Sequence, residues 1–284
     1  MIGSKASAKS FSVKTDDVLT ASMVARMYAT MGWPMPENAL RDGAPAPLNS
    51  YLMLCLDILG NDKLRTDGLA YEEETLPFVD LPRRVWGGGG LTFIEPLRIG
   101  DKVTRTTQII DQKNKTGTLG EMVFVDVLNE FFVKEKLCLS EALTLIYLPE
   151  RQAGADQSAQ DTVPRPACDY VHSVSFSPHQ LFRFSAITFN AHRIHFDPHH
   201  AQVVEGYADQ VVHGPILTSI VLNCWQMHNP DKSLKQIKLR CNGSAMVNQL
   251  LHVQGKRHDS GDELSVYNDY GEELYAAQVV AQER

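Results

Sequence analysis

The sequence predicts an α+β fold in which an antiparallel sheet wraps around a central apolar helix, an arrangement present twice along the chain. Two apolar runs of helical length, residues 48–59 and 216–227, follow prolines that suit the first turn of a helix. Several strand-like segments come after each run. A buried helix needs apolar surface around it, and a curled antiparallel sheet supplies that surface.

The first repeat occupies residues 1–149. An amphipathic segment, residues 18–31, precedes the apolar run at 48–59. Alternating and β-branched residues then predict strands, two of them joined by a hairpin turn around residues 112–118. The predicted strands are residues 91–94, 102–111, 120–132 and 138–148.

A polar linker, residues 150–168, separates the two repeats. Its only large apolar residue is Val163, so it cannot form a packed core. The second repeat, residues 169–284, contains the apolar run at 216–227 and further strand-like segments. These predicted strands are residues 234–239, 245–247, 250–256, 263–268 and 273–281.

Composition excludes several classes of protein. The net charge is −7 and the basic residues are dispersed, which argues against a nucleic-acid surface. No run approaches the roughly 20 apolar residues of a membrane span. The five cysteines are widely spaced, which predicts reduced thiols. We therefore expect a cytoplasmic protein, with a mitochondrial location as the alternative because residues 1–14 weakly match a transit peptide.

Seven of the ten histidines fall between His172 and His213, and the context of His195 sets it apart. It lies in a polar segment, residues 190–197, that precedes a glycine–proline pair at the start of the second apolar helix. The N-terminus of a helix can stabilise a carbonyl oxygen that becomes negative during a reaction. A proton-transfer residue beside such a helix end is what enolate chemistry requires.

The same histidines could serve two other chemistries. A metal site could use His192, His195, His199 and His200, but the sequence has no HExxH or CxxC motif. A Ser-His-Asp hydrolase would need a nucleophile elbow of the form GxSxG, which is missing. We therefore expect no metal.

Two separated blocks carry a family resemblance. Residues 190–197 (NAHRIHFD) precede the pair His213-Gly214, and residues 82–89 (PRRVWGGG) precede residues 96–101 (PLRIGD). In these blocks the sequence resembles the MaoC-like hydratases and dehydratases, which carry a loop Asp-x-Asn-Pro-x-His-x-Asp ahead of a His-Gly pair. The subgroup it resembles comprises itaconyl-CoA and mesaconyl-C4-CoA hydratases and type 2 hydroxyacyl-thioester dehydratases. The resemblance implies a double hot-dog fold, with two antiparallel sheets each wrapped around a central helix.

The resemblance also implies roles for individual residues. His195 would be the catalytic acid–base, and the backbone N–H of Gly214 would bind the thioester carbonyl. Asn190 stands where most such enzymes have an aspartate, and an amide cannot act as a base. Asn190 would therefore position the water, with Asp197 as a reserve carboxylate or, more simply, a cap for the following short helix.

Substrate contacts are expected from residues in the same motif blocks. Arg193 could bind the distal carboxylate of a dicarboxylic acyl group, and other arginines could hold coenzyme A phosphates. Structural ion pairs are the alternative for all of them. Trp86 and the run Gly87–Gly90 could approach the pantetheine arm or form a turn. The expected substrate-binding residues are Gly214, Arg193, Arg183, Arg83, Arg84, Trp86 and His213.

The resemblance therefore implies a hydro-lyase acting on a short branched or dicarboxylic enoyl-CoA of the itaconyl or mesaconyl type. One alternative is a (3R)-hydroxyacyl-thioester dehydratase of fatty acid synthesis. Another is an acyl-thioester-binding protein without catalysis, since Asn190 replaces the aspartate. No cofactor is expected beyond the coenzyme A of the substrate. A homodimer of double hot-dog chains is left open.

Overall fold

The computed structural model describes residues 12–70, 76–117, 120–150, 162–259 and 261–283. Over these ranges the chain forms three α-helices, two short 3₁₀ turns in its first half, a third at residues 193–195, a π-helical turn and ten strands. The α-helices are α1 (Ala21–Met31), α2 (Pro178–Ile187) and α3 (Gly214–His228). The strands are β1 (Ser12–Val18), β2 (Arg83–Phe93), β3 (Lys102–Gly117), β4 (Gly120–Val133), β5 (Lys136–Leu148), β6 (Tyr170–Val174), β7 (Lys232–Cys241), β8 (Leu251–His258), β9 (Gly261–Tyr267) and β10 (Glu273–Glu283).

The ten strands form one continuous antiparallel sheet in the order β1-β3-β4-β5-β2-β7-β10-β9-β8-β6. The five strands of the first half therefore lie side by side, followed by the five of the second half. The predicted antiparallel α+β architecture is confirmed, and the two expected sheets are joined edge to edge through β2 and β7.

The run of glycines forms this junction between the halves. Strand β2 pairs with β5 on one side and with β7 on the other. Gly88 has a φ of 139°, and a Cβ atom there would lie 2.5 Å from the carbonyl oxygen of Leu239. The turn considered for Gly87–Gly90 is therefore wrong, because these residues continue a strand whose neighbours leave no room for side chains.

The central helix of the second half, α3, is confirmed and extends the predicted run by a residue or two at each end. Most of its residues are buried, and it packs against strands β7, β8 and β9. Helix α2 was not predicted, although its start carries the signals of a helix N-terminus. Ser177 is the N-cap, Pro178 stands in the first turn, and Gln180 completes the capping box. Helix α1 falls within the amphipathic segment and packs against α2.

The predicted helix over residues 48–59 is wrong. Only Ser50–Met53 forms a single 3₁₀ turn, and Cys55 then adopts a φ of 54°. The backbone N–H of Cys55 donates to Asp17 at 3.0 Å, and its thiol lies 3.2 Å from the carbonyl oxygen of Thr15. These bonds tie the run to β1, and the side chains of Tyr51, Met53 and Leu54 lie in the core, whereas Ile58 is 80% exposed. The apolar pattern thus predicted burial correctly for the first part of the run, but the helix was not formed.

Smaller boundaries also differ. Strand β3 continues to Gly117 and pairs with β4 beginning at Gly120, so most of the predicted hairpin turn at 112–118 is strand. Residues 245–247 form only an isolated bridge, between Val211 and Met246. Most of the proposed linker lies outside the described residues, and the division of the chain at 150–168 stays a prediction.

A single large core joins the two halves. It contains Leu19, Val24 and Met27 from the first half together with much of α3 from the second. Cys55, Cys138 and Cys224 are buried, and all five cysteines are free thiols. None of the described helices has the length and apolar character needed to cross a membrane.

Candidate functional site

His195 lies at the end of a short 3₁₀ turn, Arg193–His195, and its ring is buried. Its Nδ1 atom is 2.7 Å from the carbonyl oxygen of Val211. Because a carbonyl can only accept a hydrogen bond, Nδ1 carries the proton and Nε2 keeps a free lone pair. Burial lowers the pKa of His195 to about 4, against the opposing effect of the Val211 bond. The imidazole is therefore a neutral base at physiological pH.

A second imidazole, that of His213, stacks on the first. The two ring centroids are 3.6 Å apart with an angle of 18° between the planes. His213 Nε2 lies 2.9 Å from Ser185 Oγ on α2, while its Nδ1 has no hydrogen-bond partner among the residues that the structure describes. Burial, and then the nearby His195, hold the pKa of His213 well below its usual range. The stack is thus a pair of neutral rings held between α2 and the start of α3.

The N-terminus of α3 begins immediately after His213. A Cβ atom added to Gly214 would lie 3.0 Å from Cε3 of Trp86, so a side chain here would push the indole away by a few tenths of an ångström. Trp86 also stacks on Tyr275, whose hydroxyl is 2.7 Å from Thr218 Oγ1. A tryptophan from the first half therefore covers the helix end that would polarise a carbonyl.

Asn190 shapes the loop that carries His195. Its side-chain oxygen accepts the backbone N–H of His192 at 3.0 Å, and its backbone N–H donates to the carbonyl oxygen of Ser185 at 2.8 Å. The preceding residue, Phe189, has a φ of 51°. The ring of His192 meets that of His195 edge to face, with centroids 5.5 Å apart, and burial lowers the pKa of His192 to about 2. The amide of Asn190 is therefore part of the loop's internal bonding.

A loop of the first half supports this segment from outside. The backbone N–H of Arg193 donates to the carbonyl oxygen of Asp67 at 2.8 Å. Gly68 has a φ of 87°, and a Cβ atom there would lie 2.6 Å from the carbonyl carbon of Ala191. Neither Asp67 nor Gly68 was a candidate from the sequence. The Asp-Gly dipeptide signals a turn, but no local pattern shows which loop the turn contacts.

Arg193 has local partners. Its Nη2 atom is 2.7 Å from Asp197 Oδ2, and Nη1 donates to the carbonyl oxygen of Thr66 at 3.0 Å. Asp197 also accepts the backbone N–H of His200 at 3.0 Å through its other oxygen. Asp197 therefore accepts the N–H of the first residue of the π-helical turn His200–Val204, which fits the simpler of its two interpretations, a capping role.

Arg83 likewise forms a structural ion pair. Its Nε atom is 3.0 Å from Glu205 Oε2, and its Nη2 is 3.4 Å from the hydroxyl of Tyr207. Both partners belong to the second half and are largely buried. The contact joins β2 to the segment between His195 and α3.

The remaining two arginines differ in position. Arg84, half-buried on β2, lines a cleft with Arg65 and Tyr147, and its charge contributes to the low pKa of His192. Arg183 is exposed on α2 and has no ion pair within the described residues. The structure thus gathers His195, His213, Gly214 and Trp86 at one place and Asn190 in the loop beside them.

The described residues contain no group of three or more His, Cys, Asp or Glu side chains that could hold a metal ion. The site therefore combines a neutral base, His195, with the N-terminus of helix α3. Such an arrangement can move a proton while a carbonyl oxygen gains negative charge.

Comparison with known proteins shows which family the chain resembles. Residues 51–247 match the family model for hydroxyacyl-thioester dehydratase type 2. The chain is 33% identical over 215 residues to mesaconyl-C(4)-CoA hydratase of Chloroflexus aurantiacus, covering 75% of each chain. It is 25% identical over 270 residues to the mitochondrial hydroxyacyl-thioester dehydratase type 2 of Schizosaccharomyces pombe, covering 84% of this chain and 87% of the relative.

A solved structure supports the fold. A Mycobacterium tuberculosis protein described as having a double hot-dog fold aligns with a TM-score of 0.60 at 14% identity. The alignment covers 98% of this chain and 97% of that one. The double hot-dog fold expected from the sequence is confirmed.

Proposed function

Because the chain belongs to the hydroxyacyl-thioester dehydratase type 2 family of hydratases and dehydratases, we propose that it adds or removes water at the double bond of a short branched or dicarboxylic enoyl-CoA. The observation that carries this proposal is the neutral His195, stacked on His213 beside the N-terminus of α3. The similarity to a mesaconyl-C(4)-CoA hydratase favours the dicarboxylic class.

In the hydration direction, His195 Nε2 takes a proton from water while the water oxygen bonds to the β-carbon. The electron pair of the double bond moves towards the thioester oxygen, which accepts a hydrogen bond from the N–H of Gly214. One such donor contributes on the order of 3 kcal/mol to an oxyanion transition state. The imidazolium then returns its proton to the α-carbon, and the thioester carbonyl re-forms. Dehydration follows the reverse path.

The low pKa of His195 suits the second step. Burial disfavours the imidazolium, so the protonated ring is a strong acid towards the enolate-like intermediate. No carboxylate is required, which is consistent with an asparagine at position 190. In this proposal Asn190 holds the loop and orients water, while His195 performs both proton transfers.

The proposal includes no resident cofactor, because the thioester itself acidifies the α-proton. We place the protein in the cytoplasm, and keep a mitochondrial location as the alternative because the Schizosaccharomyces pombe relative is named as mitochondrial. One chain supplies both hot-dog halves of the site, and a homodimer of such chains remains part of the proposal.

The family match also favours a second function, a (3R)-hydroxyacyl-thioester dehydratase of fatty acid synthesis. The two functions differ in the acyl group and in the carrier. The test is to follow the absorbance of conjugated enoyl thioesters with mesaconyl-, crotonyl- and octenoyl-CoA, and with crotonyl bound to an acyl carrier protein.

The preferred function predicts the highest kcat/KM with mesaconyl-CoA. Faster turnover of octenoyl-CoA or of the carrier-bound substrate would favour the second function. If no thioester is turned over although CoA esters bind in calorimetry, the protein is an acyl-thioester-binding protein and the enzymatic proposal fails.

A further inference from the structure

The imidazole of His192 lies next to His195 and has no part in the proposed mechanism. The two rings are nearly perpendicular, at 87°, and their centroids are 5.5 Å apart. The backbone of His192 is held on both sides, because its N–H donates to Asn190 Oδ1 and its carbonyl oxygen accepts the N–H of His195 at 3.2 Å. The loop itself therefore fixes this ring beside the catalytic imidazole.

The ring nitrogens of His192 are unbonded, yet water can reach them. Neither nitrogen forms a hydrogen bond with any residue that the structure describes, although His192 is only 8% exposed. Both nitrogens of His200 are sealed in the interior without a partner in that part of the chain, whereas no nitrogen of His192 or His195 is. The free Nε2 of His195 and the nitrogens of His192 therefore face space that a water molecule can enter.

Packing alone does not account for an imidazole at position 192. A phenylalanine would make a similar edge-to-face contact with His195, without the cost of withdrawing two polar nitrogens from most of their water. Two hydrogen bonds of about 2.9 Å to one water span up to roughly 6 Å. The separation of the two rings therefore allows one nitrogen of each to bind the same water.

A water that attacks a double bond is well oriented when both of its hydrogens have acceptors. His195 Nε2 accepts one of them. The oxygen of Asn190 is already engaged by the N–H of His192, and the amide N–H groups of Asn190 can only donate. A neutral imidazole has one acceptor nitrogen, and even an unshifted histidine is mostly neutral at pH 7.5. Burial, and then the nearby His195, lower the pKa of His192 further.

We propose that His192 holds the attacking water by accepting a hydrogen bond from the hydrogen that stays on the product hydroxyl, while His195 takes the other hydrogen as a proton. This inference rests on the proposed function, because it assigns a second residue to the same addition of water. The water oxygen bonds to the β-carbon, the proton passes through His195 to the α-carbon, and His192 neither gains nor loses a proton. In the reverse direction His192 orients the hydroxyl that leaves as water.

The test compares variants that separate hydrogen bonding from packing. His192→Phe keeps an aromatic ring against His195 but removes the acceptor, so it should lower kcat roughly 10- to 100-fold while KM stays within about threefold of wild type. His192→Asn and His192→Gln place an amide oxygen near the positions of Nδ1 and Nε2 respectively. The better of the two should stay within about fivefold of the wild-type kcat. His199→Phe, the same change at an exposed histidine of the same segment, is the matched control and should leave kcat unchanged.

The kinetics use the best enoyl-CoA at pH 7.5, and cooperative melting checks that each variant folds. If His192→Phe does not melt cooperatively, His192→Leu takes its place and should show the same loss relative to His192→Asn, which has a similar size. Methylsuccinyl-CoA, a saturated thioester that takes up no water, should bind the acceptor-free variant within about threefold of wild type in calorimetry. Weaker binding would mean that the ring contacts the thioester, and would overturn the assignment to water.

A purely structural ring predicts the opposite order of activities. His192→Phe would then resemble wild type and both amide variants would be impaired, and that order would overturn the inference. Equal kcat in the acceptor-free variant and the better amide variant would overturn it as well. If wild type turns over none of the enoyl-CoAs, the proposed function itself fails; if it turns them over without the expected order, only the role of His192 fails.

Discussion

Replacing Gly68 with alanine tests whether the first half holds the loop of His195 in place. Gly68 has a φ of 87°, which disfavours a side chain by roughly 1–2 kcal/mol. The new Cβ would also lie 2.6 Å from the carbonyl carbon of Ala191 and 3.3 Å from Cα of His192. Overpacking of this kind typically adds about 1–3 kcal/mol. We expect Gly68→Ala to lower the free energy of unfolding by roughly 2–5 kcal/mol.

A matched control separates the two contributions. Gly43 has a similar φ of 75°, but nothing lies within 4 Å of its Cβ position. Gly43→Ala should therefore show only the backbone strain, about 1–2 kcal/mol, with normal turnover. Gly68→Ala should also lower kcat/KM by roughly 10- to 100-fold, since small displacements of catalytic groups are costly. Urea denaturation and steady-state kinetics measure both effects, and equal behaviour of the two variants would refute the reasoning.

Further predictions concern His195, Arg83 and Asn190. The pKa of His195 is about 4 in the folded protein and 6.5 for an ordinary histidine, so the unfolded chain binds the proton more tightly. The free energy of unfolding should therefore fall by up to roughly 3 kcal/mol as the pH is lowered from 6.5 to 4. For the same reason kcat/KM should remain level through pH 6, and an apparent pKa near 6.5 in that profile would contradict the assignment. Arg83→Met removes the arginine that pairs with the buried carboxylate of Glu205 and should lower the free energy of unfolding by roughly 3 kcal/mol. The double variant Arg83→Met/Glu205→Gln should recover the wild-type melting temperature, and a failure to recover would argue against this cause. Asn190→Asp keeps an acceptor for the N–H of His192 and should have a melting temperature close to that of wild type. Asn190→Ala removes the acceptor and should melt several degrees lower. Equal melting temperatures for the two variants would show that this bond does not stabilise the loop.

The sequence was most informative where local pattern and tertiary role coincide. Helix α3 has a proline in its first turn and is mostly apolar, and most of its residues are buried, so its pattern and its environment agree. The run at residues 48–59 has a similar apolar pattern, but the bond from Cys55 to Asp17 draws it towards β1. An apolar run predicts burial more reliably than it predicts a helix, because both states bury the same side chains.

In the candidate site, too, local motifs were informative, whereas long-range contacts were not visible in the sequence. His195, His213 and Gly214 are close in sequence to the motifs that flagged them, and the structure brings them together. The arginines were selected by residue type, yet Arg83 has Glu205 as its partner across the chain. Long-range partners of this kind leave no signal in local spacing.

The most direct test of the account compares His195→Ala with His179→Ala, a change at an exposed histidine on α2. Both purified variants should melt cooperatively, and their turnover of the best enoyl-CoA should be measured at pH 7.5. We predict that His195→Ala lowers kcat by roughly 10²- to 10⁴-fold, the usual contribution of a general acid–base, while His179→Ala stays within about twofold of wild type. Turnover by a folded His195→Ala variant at the wild-type rate would contradict the central claim.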